Sequence, residues 1–163
     1  MNNINIIFLD IDGVLNSQKH AMEIYKITNK PSSGFNFPFD EKCLENLKMI
    51  IQETNAKIVI TSTWRKHENG KTILLSNLKR YNLDKDIIGY TPILNKERGL
   101  EIAAFLDKLH FNPNFIILDD DDDMGHLSNY LIKTNIEIGL TYENAVEAIE
   151  KLNNHNKKLL KKK

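Results

Sequence analysis

The chain has 163 residues, is 41% apolar, and balances 22 basic against 22 acidic residues, which fits one globular domain with a sizeable core better than two. No apolar run nears the roughly 20 residues that a spanning helix needs, and the start lacks the basic, apolar and small-residue pattern of a signal peptide. A membrane span and a Sec-type export signal are therefore excluded, and a cytoplasmic chain is the expectation, with delivery by a signal-less route left open.

In chain order, the first element is an apolar strand over Ile4 to Leu9, with Asp10, Asp12 and Gly13 at its tip. Residues 16 to 39, which include Pro31-Ser32-Ser33-Gly34 and Phe35-Asn36-Phe37-Pro38, read as an irregular flap. A helix follows over Asp40 to Thr54, with Asp40 a candidate N-cap because its carboxylate can accept a free first-turn amide. The single cysteine, Cys43, falls in that helix on the same face as Leu47, Ile50 and Ile51. It reads as a small buried hydrophobe, and Met49 stands where a cysteine phosphatase would need Arg.

A second strand is predicted over Lys57 to Thr61, a helix over Lys71 to Tyr81, a short strand over Ile87 to Tyr90 and a helix over Arg98 to His110. Strands over Phe115 to Leu118 and Leu131 to Ile138 come next, then Thr141 as N-cap of a helix over Tyr142 to Leu152. Strands alternating with helices imply an α/β, Rossmann-like three-layer sandwich around a central parallel sheet. The expected domain spans residues 1 to 153, and 154 to 163 reads as a basic tail or the start of a linker. Residues 151 to 163 hold six of the 22 basic residues and no acid, so the remaining body is acidic. An acidic body argues against a nucleic-acid surface over the whole domain, though a local groove can still be basic.

In an open parallel sheet, ligands gather at the carboxyl ends of the strands. Asp10 and Asp12 fall at that edge, and so does the run Asp119 to Asp123. Two unit charges about 4 Å apart repel by about 1 kcal/mol in water and about 4 kcal/mol at an effective dielectric of about 20, so facing carboxylates call for a cation. All-oxygen ligation with room for phosphate and water suits Mg²⁺. A calcium loop fails: begun at Asp119 it puts Met124 where Gly is needed and Tyr130 where Glu is needed. An acidic run alone is usually a solvated turn; here its position after a buried strand, matched by Asp10 and Asp12 after another, favours a metal site. Gly13 suits a backbone that comes close to a ligand.

The order of these features resembles the haloacid dehalogenase (HAD) superfamily of phosphohydrolases over nearly the whole chain. Its first motif is matched by Asp10-Ile11-Asp12-Gly13, its second by the Ser or Thr within Ile60-Thr61-Ser62-Thr63-Trp64-Arg65, and its fourth by Asp119-Asp120. The third, a cation near a helix start, is matched by Arg98, with Lys96 as the second choice. Ser62-Thr63-Trp64-Arg65, Arg98-Gly99-Leu100-Glu101-Ile102 and Gly139-Leu140-Thr141 are similar to the capless branch in multifunctional RNA-repair proteins, related to the 3′-phosphatase module of polynucleotide kinases.

The resemblance implies that Asp10 is a nucleophile and metal ligand, and that Asp12 is the general acid and base with its carbonyl on the metal. It implies Ser62 (or Thr61) and Arg98 (or Lys96) as phosphoryl contacts, and Asp119 and Asp120 as further ligands of Mg²⁺. Outside this set, Trp64 reads as packing, Arg65 as a substrate contact or a surface ion pair, and His20, His67, His110, His126 and His155 as surface or capping residues.

Neither interval that carries a large cap in this superfamily is long enough for one here. An uncapped site suits a phosphate carried on a macromolecule. The acidic body favours a phosphoprotein, with phosphotyrosine as the specific case, as substrate; the narrower likeness favours a nucleic-acid 3′-end. A non-catalytic module that binds a phosphorylated partner is the third reading.

Overall fold

The computed structural model describes residues 4–160, with side chains of the final helix described through residue 154. Five parallel strands form one sheet in the order β3-β2-β1-β4-β5: β1 (Asn5–Leu9), β2 (Lys57–Ile60), β3 (Ile87–Tyr90), β4 (Asn114–Asp119) and β5 (Leu131–Lys133). The helices are α1 (Gln18–Thr28), α2 (Glu41–Thr54), α3 (Glu68–Lys79), α4 (Arg98–Leu106) and α5 (Tyr142–Leu160). No described helix is long and apolar enough to cross a membrane.

Strand β1 is buried along its whole length, as a strand covered on both faces must be. Ile7 and Leu9 join Cys43, Leu47, Leu74, Leu78, Ala145 and Leu152 on the side of α2, α3 and α5. Ile6 and Phe8 join Ile102, Met124 and Leu127 on the side of α4. The alternation of β1 thus divides one sheet into two helix-covered faces, the expected three layers. Cys43 is 1% exposed, and burial, helped by Asp40, pushes its thiol up to about 12, as suits a residue used for packing.

After β3 the chain crosses back to the other side of β1, so β1 and β4 flank the point where the strand order reverses. Their registers run together to Leu9 opposite Leu118, and the Asp10 amide donates to the Leu118 carbonyl at 3.0 Å. The tips of these two strands are where a crevice opens in such a sheet.

The elements follow the expected order, with one correction and several shifted ends. The irregular flap contains an 11-residue helix, α1, and a single 3-10 turn at Gly34–Asn36. Ser17 caps α1 by accepting from the His20 amide at 3.2 Å, while the Gln18 and Lys19 amides donate to the Ile136 and Glu137 carbonyls at 3.0 and 3.1 Å. None of its residues is buried. Its apolar residues Met22, Tyr25 and Ile27 are exposed, so α1 adds no stripe to the core.

Strand β5 stops at Lys133, not near Ile138, because Asn135 turns the chain and bridges back to Gly139. Helix α3 begins three residues early at Glu68, and α4 ends at Leu106. Asp40 caps α2 by accepting from the Lys42 amide at 2.9 Å, and Thr141 accepts from the Asn144 amide at 3.2 Å. Helix α5 continues past the expected Leu152 into the basic tail; the rest of that tail lies outside the described residues.

Candidate active site at the β1–β4 crevice

Three loops meet at the tips of β1, β2 and β4, and each brings one part of the expected constellation. Asp10 leaves β1, Ser62 leaves β2, and Asp119 is the last residue of β4. Carboxylate oxygens of Asp10, Asp119 and Asp120 lie within 4.8 Å of one another. Gly13 allows this approach: its φ is +74°, and a Cβ there would sit 2.6 Å from the Asp120 carboxyl. The Thr134 hydroxyl secures the same turn by donating to the Gly13 carbonyl at 2.7 Å.

Arg98 reaches the cluster from the first turn of α4. Its Nη1 lies 3.2 Å from Asp10 Oδ1 and its Nε 3.7 Å from Asp119 Oδ2. The start of α4 is itself seated on the acidic loop. Asp123 accepts from the Arg98 amide at 2.9 Å through its side chain and from the Gly99 amide at 3.1 Å through its carbonyl. Gly99 has no room for a side chain, since a Cβ would fall 2.1 Å from the Met124 carbonyl oxygen. Lys96, the second choice, is exposed in the preceding loop.

One guanidinium faces three carboxylates, and the electrostatics record the shortfall. Burial pushes Asp10 above the ordinary carboxylate range, offset in part by Arg98, the Ile11 amide and a hydrogen bond from Ser62. Burial, with the Asp10 charge added, pushes Asp119 up to about 8. Asp120 is raised as well, mainly by burial. Arg98 is raised: burial opposes its charge, but Asp10, Asp119 and Asp123 outweigh that. Asp119 Oδ2 is fully buried and has no hydrogen-bond partner. A buried oxygen of this kind is costly unless something else ligates it. Three hard oxygen donors around such an orphan fit a divalent cation.

Asp12 stands apart from that cluster. Its Oδ1 accepts from Asn16 Nδ2 at 2.8 Å and its Oδ2 from the Trp64 indole Nε1 at 3.0 Å. On β2's side, the Ser62 hydroxyl reaches Asp10, whereas Thr61 Oγ1 is buried with no hydrogen-bond partner. The rest of the acidic run has other duties: Asp121 and Asp122 are exposed, and Asp122 pairs with Lys133 at 3.1 Å.

Arg65 is neither of the two things expected of it, a substrate contact or a surface ion pair. It is 2% exposed and paired with buried Glu101. Its guanidinium donates to the carbonyls of Thr61, Ser62, Thr91 and Pro92 as well, while Glu101 accepts from the Leu94 amide at 2.9 Å. This network joins the loop of Ser62 to the helix of Arg98. Of the histidines, His67, His110 and His126 are exposed and His20 lies 3.8 Å from Glu23; the side chain of His155 is outside the described residues. Sequence reasoning missed Asn16, Asp123 and Glu101 as supports of the site. Glu101 was visible only as a letter in a motif, and Asn16 gave no signal at all.

The pattern of the family described as the HAD domain in Swiss Army Knife RNA repair proteins matches residues 6–145. The chain belongs to this family. That match spans β1 through the start of α5 and so includes every loop of the crevice. This HAD domain is also similar to a solved haloacid dehalogenase-like family hydrolase from Streptococcus pneumoniae, with a TM-score of 0.51 and 12% identity over 91% of this chain and 92% of the other. At that identity the likeness speaks for the fold. No curated protein sequence matches the chain. The enzyme class expected from the motifs, a HAD-type phosphatase without a large cap, stands on the family match and on the five-stranded parallel sheet.

Proposed function

We propose that this HAD domain is a Mg²⁺-dependent phosphomonoesterase that removes a terminal phosphate from a nucleic-acid end through an aspartyl-phosphate on Asp10. The observation that carries the chemistry is the convergence of Asp10, Asp119 and Asp120 beside Arg98, with Ser62 on Asp10. The substrate class rests on membership in a family of RNA-repair proteins. The acidic body favours a phosphoprotein, the main expectation from the sequence, whereas the family match favours the alternative, a nucleic-acid end.

In this reading a carboxylate oxygen of Asp10 attacks phosphorus, the ester P–O bond breaks, and the leaving oxygen takes a proton from Asp12. Water then attacks the phosphoryl group, gives a proton to Asp12, and releases inorganic phosphate with Asp10 restored. Arg98 and the Ser62 hydroxyl hold the phosphoryl oxygens in place while their charge redistributes. A divalent ion held by Asp10, Asp119 and Asp120 supplies the positive charge that Arg98 alone does not.

The test compares 3′-phosphorylated oligonucleotides with phosphotyrosine peptides, each with and without Mg²⁺. Mg²⁺-dependent phosphate release from the oligonucleotide, lost in a folded Asp10→Asn variant, is the expected result. Turnover of the peptide alone would restore the phosphoprotein reading, and inactivity toward both would remove the two together.

A further inference from the structure

We propose that Trp64, together with Asn16, is a positioning residue that holds the Asp12 carboxyl in line for proton transfer. The inference rests on the reading of Asp12 as the general acid and base.

Asp12 stands two positions after Asp10, and Trp64 two positions after Ser62. The two strand tips are paired accordingly: Ser62 lies beside Asp10, and the Trp64 indole N–H bonds Asp12 at 3.0 Å. On the other Asp12 oxygen, Asn16 Nδ2 donates at 2.8 Å, and Asn16 Oδ1 in turn accepts from the Gly13 amide at 3.0 Å. Trp64 is 2% exposed and Asn16 1%, so water does not compete freely for either donor.

One donor on each oxygen fixes the plane of the Asp12 carboxyl. Every carboxylate oxygen has two acceptor directions, so each keeps one for the proton that Asp12 is to deliver and retrieve. The indole itself has little freedom. Phe35 and Phe39 meet it edge-on with ring centroids 5.1 and 5.4 Å away, and its own amide donates to Ser62 Oγ at 3.4 Å. A buried Trp usually finds some partner for its N–H. Here the partner is Asp12, a carboxylate that stays out of the metal-ligand cluster, and general acid–base catalysis depends on such placement.

The decisive readout is the leaving group, because an alkoxide needs a proton as it departs and a nitrophenolate does not. Single-turnover release is to be measured for a nucleoside 3′-phosphate and for p-nitrophenyl phosphate, with Mg²⁺, in the wild type, Trp64→Phe, Asn16→Ala, Asp12→Asn and Phe35→Leu. Trp64→Phe keeps an aromatic ring and deletes the N–H. It should slow release of the nucleoside by about tenfold or more, a fraction of what a general acid contributes, and release of p-nitrophenolate far less. Asn16→Ala should give the same asymmetry and carries the test should Trp64→Phe not fold.

Phe35→Leu, which loosens the packing of the indole but spares its N–H, should lower stability and leave the ratio between the two substrates at its wild-type value. Equal slowing of both substrates in the Trp64 and Asn16 variants, or slowing of neither, would overturn the proposal while the asymmetry in Asp12→Asn upholds that residue as the acid. Absence of the asymmetry in Asp12→Asn itself would remove the acid–base assignment and this inference with it.

Discussion

At the residue scale, the same residue types play unequal parts according to where the backbone puts them. Five consecutive aspartates begin at the last residue of β4, yet only Asp119 and Asp120 reach Asp10; Asp123 caps α4 from outside, and Asp122 meets Lys133. Arg98 and Lys96 are two residues apart in the loop-to-helix junction, and Arg98 alone pairs with Asp10 and Asp119. If Arg98 holds the transferring phosphoryl group, Arg98→Ala should cut kcat by about 10² or more, the usual cost of losing one preorganised charge donor. Lys96→Ala should change it by less than about threefold. Steady-state kinetics with Mg²⁺ and a 3′-phosphorylated oligonucleotide separates the two, and comparable losses would return Lys96 to consideration.

At the element scale, the crevice depends on how the ends of β2, β3 and α4 are locked together. Arg65 binds the carbonyls of Thr61 and Ser62 after β2 and of Thr91 and Pro92 after β3, and its pair with Glu101 reaches into α4. The ion pair is buried, so removing one partner leaves the other charged and desolvated. Arg65→Ala is therefore expected to destabilise the fold by about 3–5 kcal/mol, and Glu101→Gln by less because it keeps a polar acceptor in place. Urea unfolding monitored by Trp64 fluorescence measures both. Helix α1 contrasts with this arrangement: it buries none of its residues and is held at its N-terminus by Ser17 and two backbone bonds.

At the scale of the whole molecule, the acidic crevice links stability to pH and to metal. In the metal-free fold Asp119 is raised from an ordinary 3.8 to about 8, with Asp10 and Asp120 raised too. A carboxyl raised on folding favours the folded state fully below its unfolded value and loses that contribution as pH climbs through the folded value. Metal-free protein should thus lose thermal stability between about pH 4 and pH 8 from this source, the sign opposite to that of a salt-bridged acid. Mg²⁺ competes with those protons, so the rise in Tm on adding it should grow with pH over the same range. Scanning calorimetry with EDTA and with excess Mg²⁺ at pH 5, 6.5 and 8 tests this. A Tm gain independent of pH would separate the ion from these carboxyls.

The order of the strands and of α2 to α5, the apolar run Ile6 to Leu9 of β1, the caps at Asp40 and Thr141 and the placement of acids at two strand tips were all legible in the sequence, because each is written in local chemistry: alternation, capping side chains, and charge next to an apolar run. Tertiary structure decided which acids converge, because the order β3-β2-β1-β4-β5 brings residues more than a hundred positions apart to one crevice. It also decided that Arg65 is buried and that Trp64 and Asn16 grip Asp12. These depend on contacts across distant segments, and no period or spacing along the chain encodes them.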